Sequence, residues 1–491
     1  MTSNQDTRFF GHPAGLSTLF FTELWERFGY YGMRAILVLF MTAPAATGGL
    51  GFDVKKAFAI YGLYTASVYM MSLPGGWIAD RILGQQRAVL YGGVMISIGY
   101  LMLALTQQWT FFLGMSIVVL GTGLLKPNIS TIVGQIYGQD DPRRESGFSI
   151  FYMGINLGST IAPLVCGWVG EKMNWHWGLG LAGVGMVFGV ITTLRGQKRL
   201  GEAGLRPVTP PTPEIGAQWR RSFRNALGAV LFAGAVIAGL HLSGMMELSA
   251  ERLVNGAGFV LVTITIGLFG WMFLGGDWTA DERKRLVVIA VLFVGSALFW
   301  AAYEQAGSSF SLFAKNNTDR LLLGIQFPAS WFQSLNASFI ICFAAVFAWM
   351  WIRMGARQPS SVMKFALAML LAALGFAVMM GAAFLGGETG RVSPLWLVAT
   401  YLLHTWGELL LSPVGLSAMT RLAPARVGGL MMGVWFLSLS MGNWLAGRLA
   451  AFYGNMPPYD LFRTLGIITL VTAVVLALAA RPVSRMMRDV Q

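Results

Sequence analysis

Residues 365–387 read Phe-Ala-Leu-Ala-Met-Leu-Leu-Ala-Ala-Leu-Gly-Phe-Ala-Val-Met-Met-Gly-Ala-Ala-Phe-Leu-Gly-Gly, with no Asp, Glu, Lys or Arg anywhere in the run. About 20 such residues in a helix cross the hydrocarbon core of a bilayer, so the run reads as a membrane span. Residues 255–276 and 464–480 are uncharged in the same way. The surrounding chain agrees, since its 491 residues are 55% hydrophobic and only 12% charged, where a soluble domain carries roughly 25% charged residues. Working outward predicts fourteen spans, at approximately 16–42, 57–79, 88–106, 110–134, 147–170, 176–194, 225–243, 255–276, 286–314, 330–352, 362–385, 393–418, 427–453 and 461–480. The turns between them leave little room for a soluble domain, and an all-α membrane protein is the class this pattern selects.

Loop charge then sets the expected orientation. Twenty-three Lys and Arg fall on the N-terminal side, seven of them between 195 and 224, and the others include Arg8, Arg81, Arg87, Arg143, Arg283, Arg421, Arg426 and Arg488. Eight fall on the other side, namely Lys55, Lys56, Lys172, Arg252, Lys315, Arg320, Arg391 and Arg463. Basic loops stay in the cytoplasm, so both termini are expected there. The same bias accounts for the net charge of +13 without a nucleic-acid partner. The polar first 15 residues lack the pattern of a cleaved signal, which leaves the first span as the insertion signal. Cys166 and Cys342 lie within apolar runs and read as packing residues. The four histidines, His12, His176, His241 and His404, are scattered, so neither a metal site nor an enzyme is expected. A linker containing Pro-Val-Thr-Pro-Pro-Thr-Pro at 207–213 precedes spans seven and eight, which are nearly free of ionisable residues. Setting that pair aside leaves six spans on each side, the arrangement of a major facilitator carrier. The chain then divides into an N-terminal bundle at 1–194, the linker with two additional helices at 195–283, and a C-terminal bundle at 284–491.

A charge within a span is costly and marks function by default. The first span carries Glu23, Glu26, Arg27, Tyr30, Tyr31 and Arg34, which share a face about 140° wide on a helical wheel. Lys126 lies deep in the fourth span, Glu304 in the seventh of the twelve, and Glu408 in the tenth. Corresponding helices of two related halves would bring these charges to one central cavity. Four carboxylates facing three cations leave one carboxylate unpaired, a physical basis for binding a proton. The competing reading is an ion network that holds helices together.

At this point specific motifs enter. Glu-Leu-Trp-Glu-Arg-Phe-Gly-Tyr-Tyr-Gly-Met-Arg (23–34) resembles the Glu-x-x-Glu-Arg-Phe signature of the proton-dependent oligopeptide transporter family. Phe-Tyr-Met-Gly-Ile-Asn-Leu-Gly-Ser (151–159) resembles its second signature. Gly-Leu-Leu-Lys-Pro-Asn (123–128), Trp-Ala-Ala-Tyr-Glu-Gln (300–305) and Gln-Ser-Leu-Asn (333–336) are similar to its other landmarks, in order along the chain. The resemblance implies a proton-coupled symporter for di- and tripeptides in the plasma membrane, a bacterial inner membrane included. It implies no cofactor beyond the coupling proton, and a monomer as the working unit. A peptide carboxylate would meet Arg27, Tyr31 and Lys126, and its amino group Asn156, Asn336 and Glu408. Arg34 would lie at the same site, with Tyr69, Trp300 and Trp435 as apolar walls. Glu23, Glu26, Arg27 and Glu304 would couple the proton, and the pairs Arg34–Glu304 and Lys126–Glu408 would close the two ends in turn. The alternatives left open are ordinary packing for Trp300 and Trp435, interhelical bonding for Asn156 and Asn336, and a different small zwitterion, nitrate or peptide-like drug as cargo. Two departures are visible. Tyr303 stands where some relatives have a second glutamate, and Leu439 where others have serine.

Overall fold

The computed structural model describes residues 6–138, 141–245, 247, 249–275, 278–387, 390–424 and 430–488. Arg426, one of the loop cations above, and the start of the span expected at 427 lie outside them. Helices account for nearly everything described. In the N-terminal half they are α1 (Ala14–Thr42), α2 (Val54–Met70), α3 (Ser72–Ile78), α4 (Gln85–Leu103), α5 (Gln108–Gln135), α6 (Arg144–Lys172) and α7 (Trp175–Leu200). Next come α8 (Pro213–Leu242) and α9 (Ala250–Leu274). The C-terminal half holds α10 (Ala280–Tyr303), α11 (Ser309–Asn316), α12 (Ser334–Met354), α13 (Ser361–Gly386), α14 (Leu395–Leu422), α15 (Met431–Ala450) and α16 (Pro458–Arg488). Because α2 runs into α3 and α10 into α11, these make fourteen crossings. Ten of the helical stretches are by themselves long and apolar enough to cross a membrane. Those that fall short include α1, which carries Glu23, Glu26, Arg27 and Arg34, and the broken unit α2–α3.

Local sequence explains the ends. The Asp53 side chain accepts from Lys56 N to start α2, and Asn174 caps α7 in the same way. Gly84, at φ 80°, turns the chain between the π-helical turn 79–83 and α4, a conformation open to glycine and costly for other residues. At α10 a capping box joins Thr279 to Glu282, so this helix begins before the expected 284. The expected linker is shorter than 195–224 suggested. Here α7 continues to Leu200, and Thr212 caps a helix whose first residue is Pro213. Proline suits that position because its missing N–H has no intrahelical partner there. The connecting segment is docked, with Val208 N donating to the Asp80 carbonyl at 2.7 Å and the Arg81 guanidinium lying 5.4 Å from the Trp77 ring and 5.2 Å from Trp219.

The two halves pack mainly within themselves. In the first, α1 lies between α6 and α7 while α4 packs on α5 and α7; in the second, α13 packs on α14 and α16, and α10 on α15. The halves meet along α2 with α15 and along α6 with α12. Alternating crossings bring both chain termini to one end of the bundle, here the terminal end; the other is the far end. Hydrogen bonds between the halves run from mid-depth to the far end. Glu171 at the end of α6 accepts from Ala329 N (2.9 Å), Ser330 N (2.8 Å) and Ser330 Oγ (2.6 Å), and Trp331 Nε1 donates to the Leu164 carbonyl at 3.0 Å. At the other seam a Cβ on Gly62 would come within 2.7 Å of Gly447 Cα, so backbones touch there as small residues permit in membrane interfaces. The far end is therefore shut. Outside this frame α8 is almost wholly exposed, whereas α9 packs on α2, α10 and α15.

Candidate functional site

Irregular backbone places the central charges. The helix of α5 contains Pro127, which cannot donate to the Gly123 carbonyl. The Asn128 amide turns back to the Leu124 carbonyl at 2.6 Å, and Lys126 is carried at this disturbed turn. Glu304 opens a 3-10 turn, 304–307, between α10 and α11. Non-helical backbone at this depth is tolerated only inside protein, and residues 304–307 are all buried. The i,i+4 spacing of Glu23 and Arg27 needs no irregularity to meet on one helix face.

These elements enclose one cavity of about 200 Å³. Its walls include Glu23, Arg27, Tyr31 and Arg34 from α1, Tyr69 from α2, Lys126 from α5, Asn156 from α6, Trp300 from α10, Glu304, Asn336 from α12 and Glu408 from α14. Eleven of the site residues expected from sequence thus share one space, and Tyr30 of the same α1 face lines it too. Arg27 Nε is 3.2 Å from Glu23 Oε1 and also pairs with Glu26, which is fully buried behind it. Arg27 Nη2, Glu23 Oε2 and Glu26 Oε1 are buried without a protein partner. A buried donor left unmet costs about 1–3 kcal/mol, so Arg27 is poised to gain from an anion in the cavity. Lys126 Nζ sits 3.9 Å above the centre of the Tyr69 ring. Opposite it, Asn336 Nδ2 donates to Glu408 Oε2 at 2.9 Å and to Thr405 Oγ1 at 3.1 Å.

Toward the far end the cavity is closed by a triad. Arg34 Nη2 lies 2.7 Å from Glu304 Oε2, Arg34 Nε donates to Tyr61 Oη at 2.8 Å, and Tyr61 Oη donates to Glu304 Oε2 at 2.9 Å. The Arg34–Glu304 pair expected from sequence is formed. The second expected pair is not, because Lys126 and Glu408 occupy different walls and are engaged by Tyr69 and Asn336. Trp435 is also displaced from its expected place. It is buried with its ring against Gly415 of α14, where the missing side chain leaves a slot, and it is not among the cavity's lining residues. Asn156 lines the cavity, but its amide donates to the Tyr152 carbonyl of its own helix at 2.9 Å. Sequence reasoning missed Tyr61, Tyr152 and Tyr303 as site residues; Tyr152 and Tyr303 line the cavity. A tyrosine in a span gives no charge signal, and the sequence shows Tyr303 only as a departure from the motif.

Comparison with known proteins places this geometry. The profile of the POT family matches residues 86–460. The peptide transporter YePEPT of Yersinia enterocolitica subsp. palearctica is 42% identical over 500 aligned positions, covering 98% of this chain and 97% of that protein. A di-/tripeptide transporter of Lactococcus lactis subsp. cremoris is 37% identical over 491 positions, covering 98% of each. Among solved structures, a crystal structure of peptide transporter POT in complex with sulfate superposes with a TM-score of 0.92 at 44% identity, covering 98% of this chain and 97% of that one.

Proposed function

The chain belongs to the POT family, and from that premise we propose that it is a proton-coupled symporter that imports di- and tripeptides by alternating access. Its fold is the major facilitator arrangement, two six-helix bundles with the α8–α9 pair added. The observation that carries the reading is the polarity of the cavity. One wall offers the unmet Arg27 donor and Lys126, and the opposite wall offers Glu408 with Asn336. A short peptide carries opposite charges at its two ends, so such a cavity selects cargo by the distance between them. Arg27, Tyr31 and Lys126 take the carboxylate; Asn156, Asn336 and Glu408 take the ammonium group. Tyr69 and Trp300 supply apolar wall. Trp435 would join them only in another conformation.

The described state, shut at the far end, is the one that releases or loads cargo at the terminal end. We assign that end to the cytoplasm on the bias of basic loop residues, in a bacterial inner membrane, with a monomer as the working unit and the proton as the only coupling ion. Opening the far end requires Arg34 to part from Glu304. Protonating Glu304 would weaken that pair, and protonating Glu23 or Glu26 would free Arg27 for the peptide. The testing experiment is uptake of a panel of di- and tripeptides into proteoliposomes under an imposed pH gradient. Accumulation is expected to collapse on adding a protonophore. Undiminished accumulation would overturn the coupling, and uptake of none of the peptides would overturn the cargo.

A further inference from the structure

A second cavity, of about 690 Å³, opens between α6 and α12 on the terminal side of the central one. The two adjoin, and Ser130, Tyr152, Ile155, Asn156 and Ile340 line both. Their linings differ in kind. The outer space is walled by Phe148 and Met153 of α6 and by Ile341, Ala344, Ala345 and Ala348 of α12. Two of its polar side chains are turned back to their own helix, Asn156 to the Tyr152 carbonyl at 2.9 Å and Ser149 to the Glu145 carbonyl at 3.1 Å. Three alanines at 344, 345 and 348 set facing α6 leave the gap unfilled. Sites for drug-sized ligands span about 300–1,000 Å³. The central cavity, about 200 Å³, falls below that range, while the outer one lies within it.

We propose that this outer space is a side-chain annexe, a second binding site for the large apolar side chain of a peptide whose charged ends are held in the central cavity. The inference rests on the peptide-carrier reading. It adds a location for side-chain selectivity away from Tyr69 and Trp300, on Phe148, Met153, Ile341, Ala344, Ala345 and Ala348, which carry no charge and line only the outer space. Peptides with small side chains leave the annexe to lipid; those with an aromatic residue exchange lipid contact for a held position and gain affinity.

The test fills the annexe and leaves the central cavity intact. Ala344→Phe and Ala345→Phe enlarge two residues of α12 that line the gap and are half-buried and exposed, respectively, so the added rings enter existing space and not a packed core. Uptake is measured in proteoliposomes for Ala-Ala, Ala-Phe and Ala-Trp. The KM for the two aromatic peptides is expected to rise about tenfold and that for Ala-Ala to stay within about twofold. Equal changes for all three, or none for any, would overturn the annexe, with lipid then its only occupant. A second measurement irradiates the wild-type protein with alanyl-benzoylphenylalanine. Adducts on Met153, Ile341 or Ala345 are expected; adducts confined to Tyr69 or Trp300 would overturn the assignment. If the wild-type protein does not accumulate Ala-Ala, the carrier reading itself falls, a result separate from loss of aromatic selectivity.

Discussion

Arg27 and Lys126 are both cations on the same cavity, yet they are held in opposite ways. Arg27 has two carboxylates on its Nε side and an unmet Nη2, so its charge is compensated before cargo arrives. Lys126 has only the face of Tyr69, a contact worth about 0.5–2 kcal/mol, and no carboxylate among the described residues lies within ion-pair distance of it. A peptide carboxylate would be its strongest partner. Lys126→Ala is therefore expected to weaken dipeptide binding by at least about tenfold, since a charge-assisted bond contributes roughly 1.5–3 kcal/mol, while the Arg34–Glu304–Tyr61 triad stays intact. Calorimetric titration with a dipeptide checks this, and unchanged affinity would remove Lys126 from the site. The charged residues were legible in the sequence because charge in a span has few explanations other than function. Tyr61, Tyr152 and Tyr303 were not. Tyr61 sits inside an apolar segment, and only the fold reveals that its hydroxyl bridges Arg34 and Glu304.

Individual elements show where pattern reading reached and where it stopped. Apolar run length located most crossings, because bilayer thickness fixes how many uncharged residues a helix needs, although α1 and the broken α2–α3 unit fall short of it by themselves. It missed the helical start of α8 at Pro213, where basic residues hide a Thr212 cap, and it could not see Glu171, since a carboxylate at a span end is unremarkable. In the structure that carboxylate accepts three hydrogen bonds from Ala329 and Ser330 and lies 3.8 Å from Arg320 Nη1. It clamps α6 to the turn that leads into α12, and so holds the far end shut. Glu171→Ala is expected to lose about 2 kcal/mol of that clamp, shifting the balance toward the far-open state roughly 30-fold. Distance measurements between spin labels on α6 and α12 at the far end would record the shift, and an unchanged distribution would show that the triad alone seals this end. The added helices pose a different question. The pair is nearly free of ionisable residues within its spans, and no residue of α8 or α9 lines the cavity. But α9 bridges the α2–α15 seam, with Lys55 Nζ 3.6 Å from Glu251, Trp444 Nε1 on the Val254 carbonyl at 3.3 Å and Arg448 bonded to Asn255. Removing both helices is expected to leave dipeptide affinity within about twofold and to slow turnover. Lost affinity in a variant that still inserts would place the pair in the binding site's support.

At the scale of the whole molecule, coupling requires that proton binding and peptide binding favour each other, and favour the same reorientation of the two bundles. The first span provides a direct route. With Glu23 and Glu26 both ionised, Arg27 is held on its Nε side by the pair. Neutralising one carboxylate releases part of that hold and leaves the guanidinium freer to meet a peptide carboxylate. Glutamine at both positions keeps the shape of the protonated form and cannot titrate. The double variant Glu23→Gln with Glu26→Gln is therefore expected to lose pH-driven accumulation and to retain exchange of labelled for unlabelled dipeptide across the membrane at equal concentrations. Exchange needs only the loaded carrier to reorient, whereas accumulation needs a proton to be taken up on one side and released on the other in each cycle. The two assays are run on the same proteoliposomes, so protein orientation and leak are shared between them. Retained accumulation would move the coupling site to Glu304, where a proton would weaken the pairing with Arg34 and Tyr61 and so would favour opening of the far end. Loss of exchange together with accumulation would make the Glu23–Glu26–Arg27 cluster a structural network of α1, the reading that competed with function from the start. The geometry favours the first outcome, because a cluster built only to hold helices together would have bonded its charges across to α6 and α7, the helices that flank α1. Here the carboxylates and the guanidinium pair with one another on α1, and two of the three line the cavity.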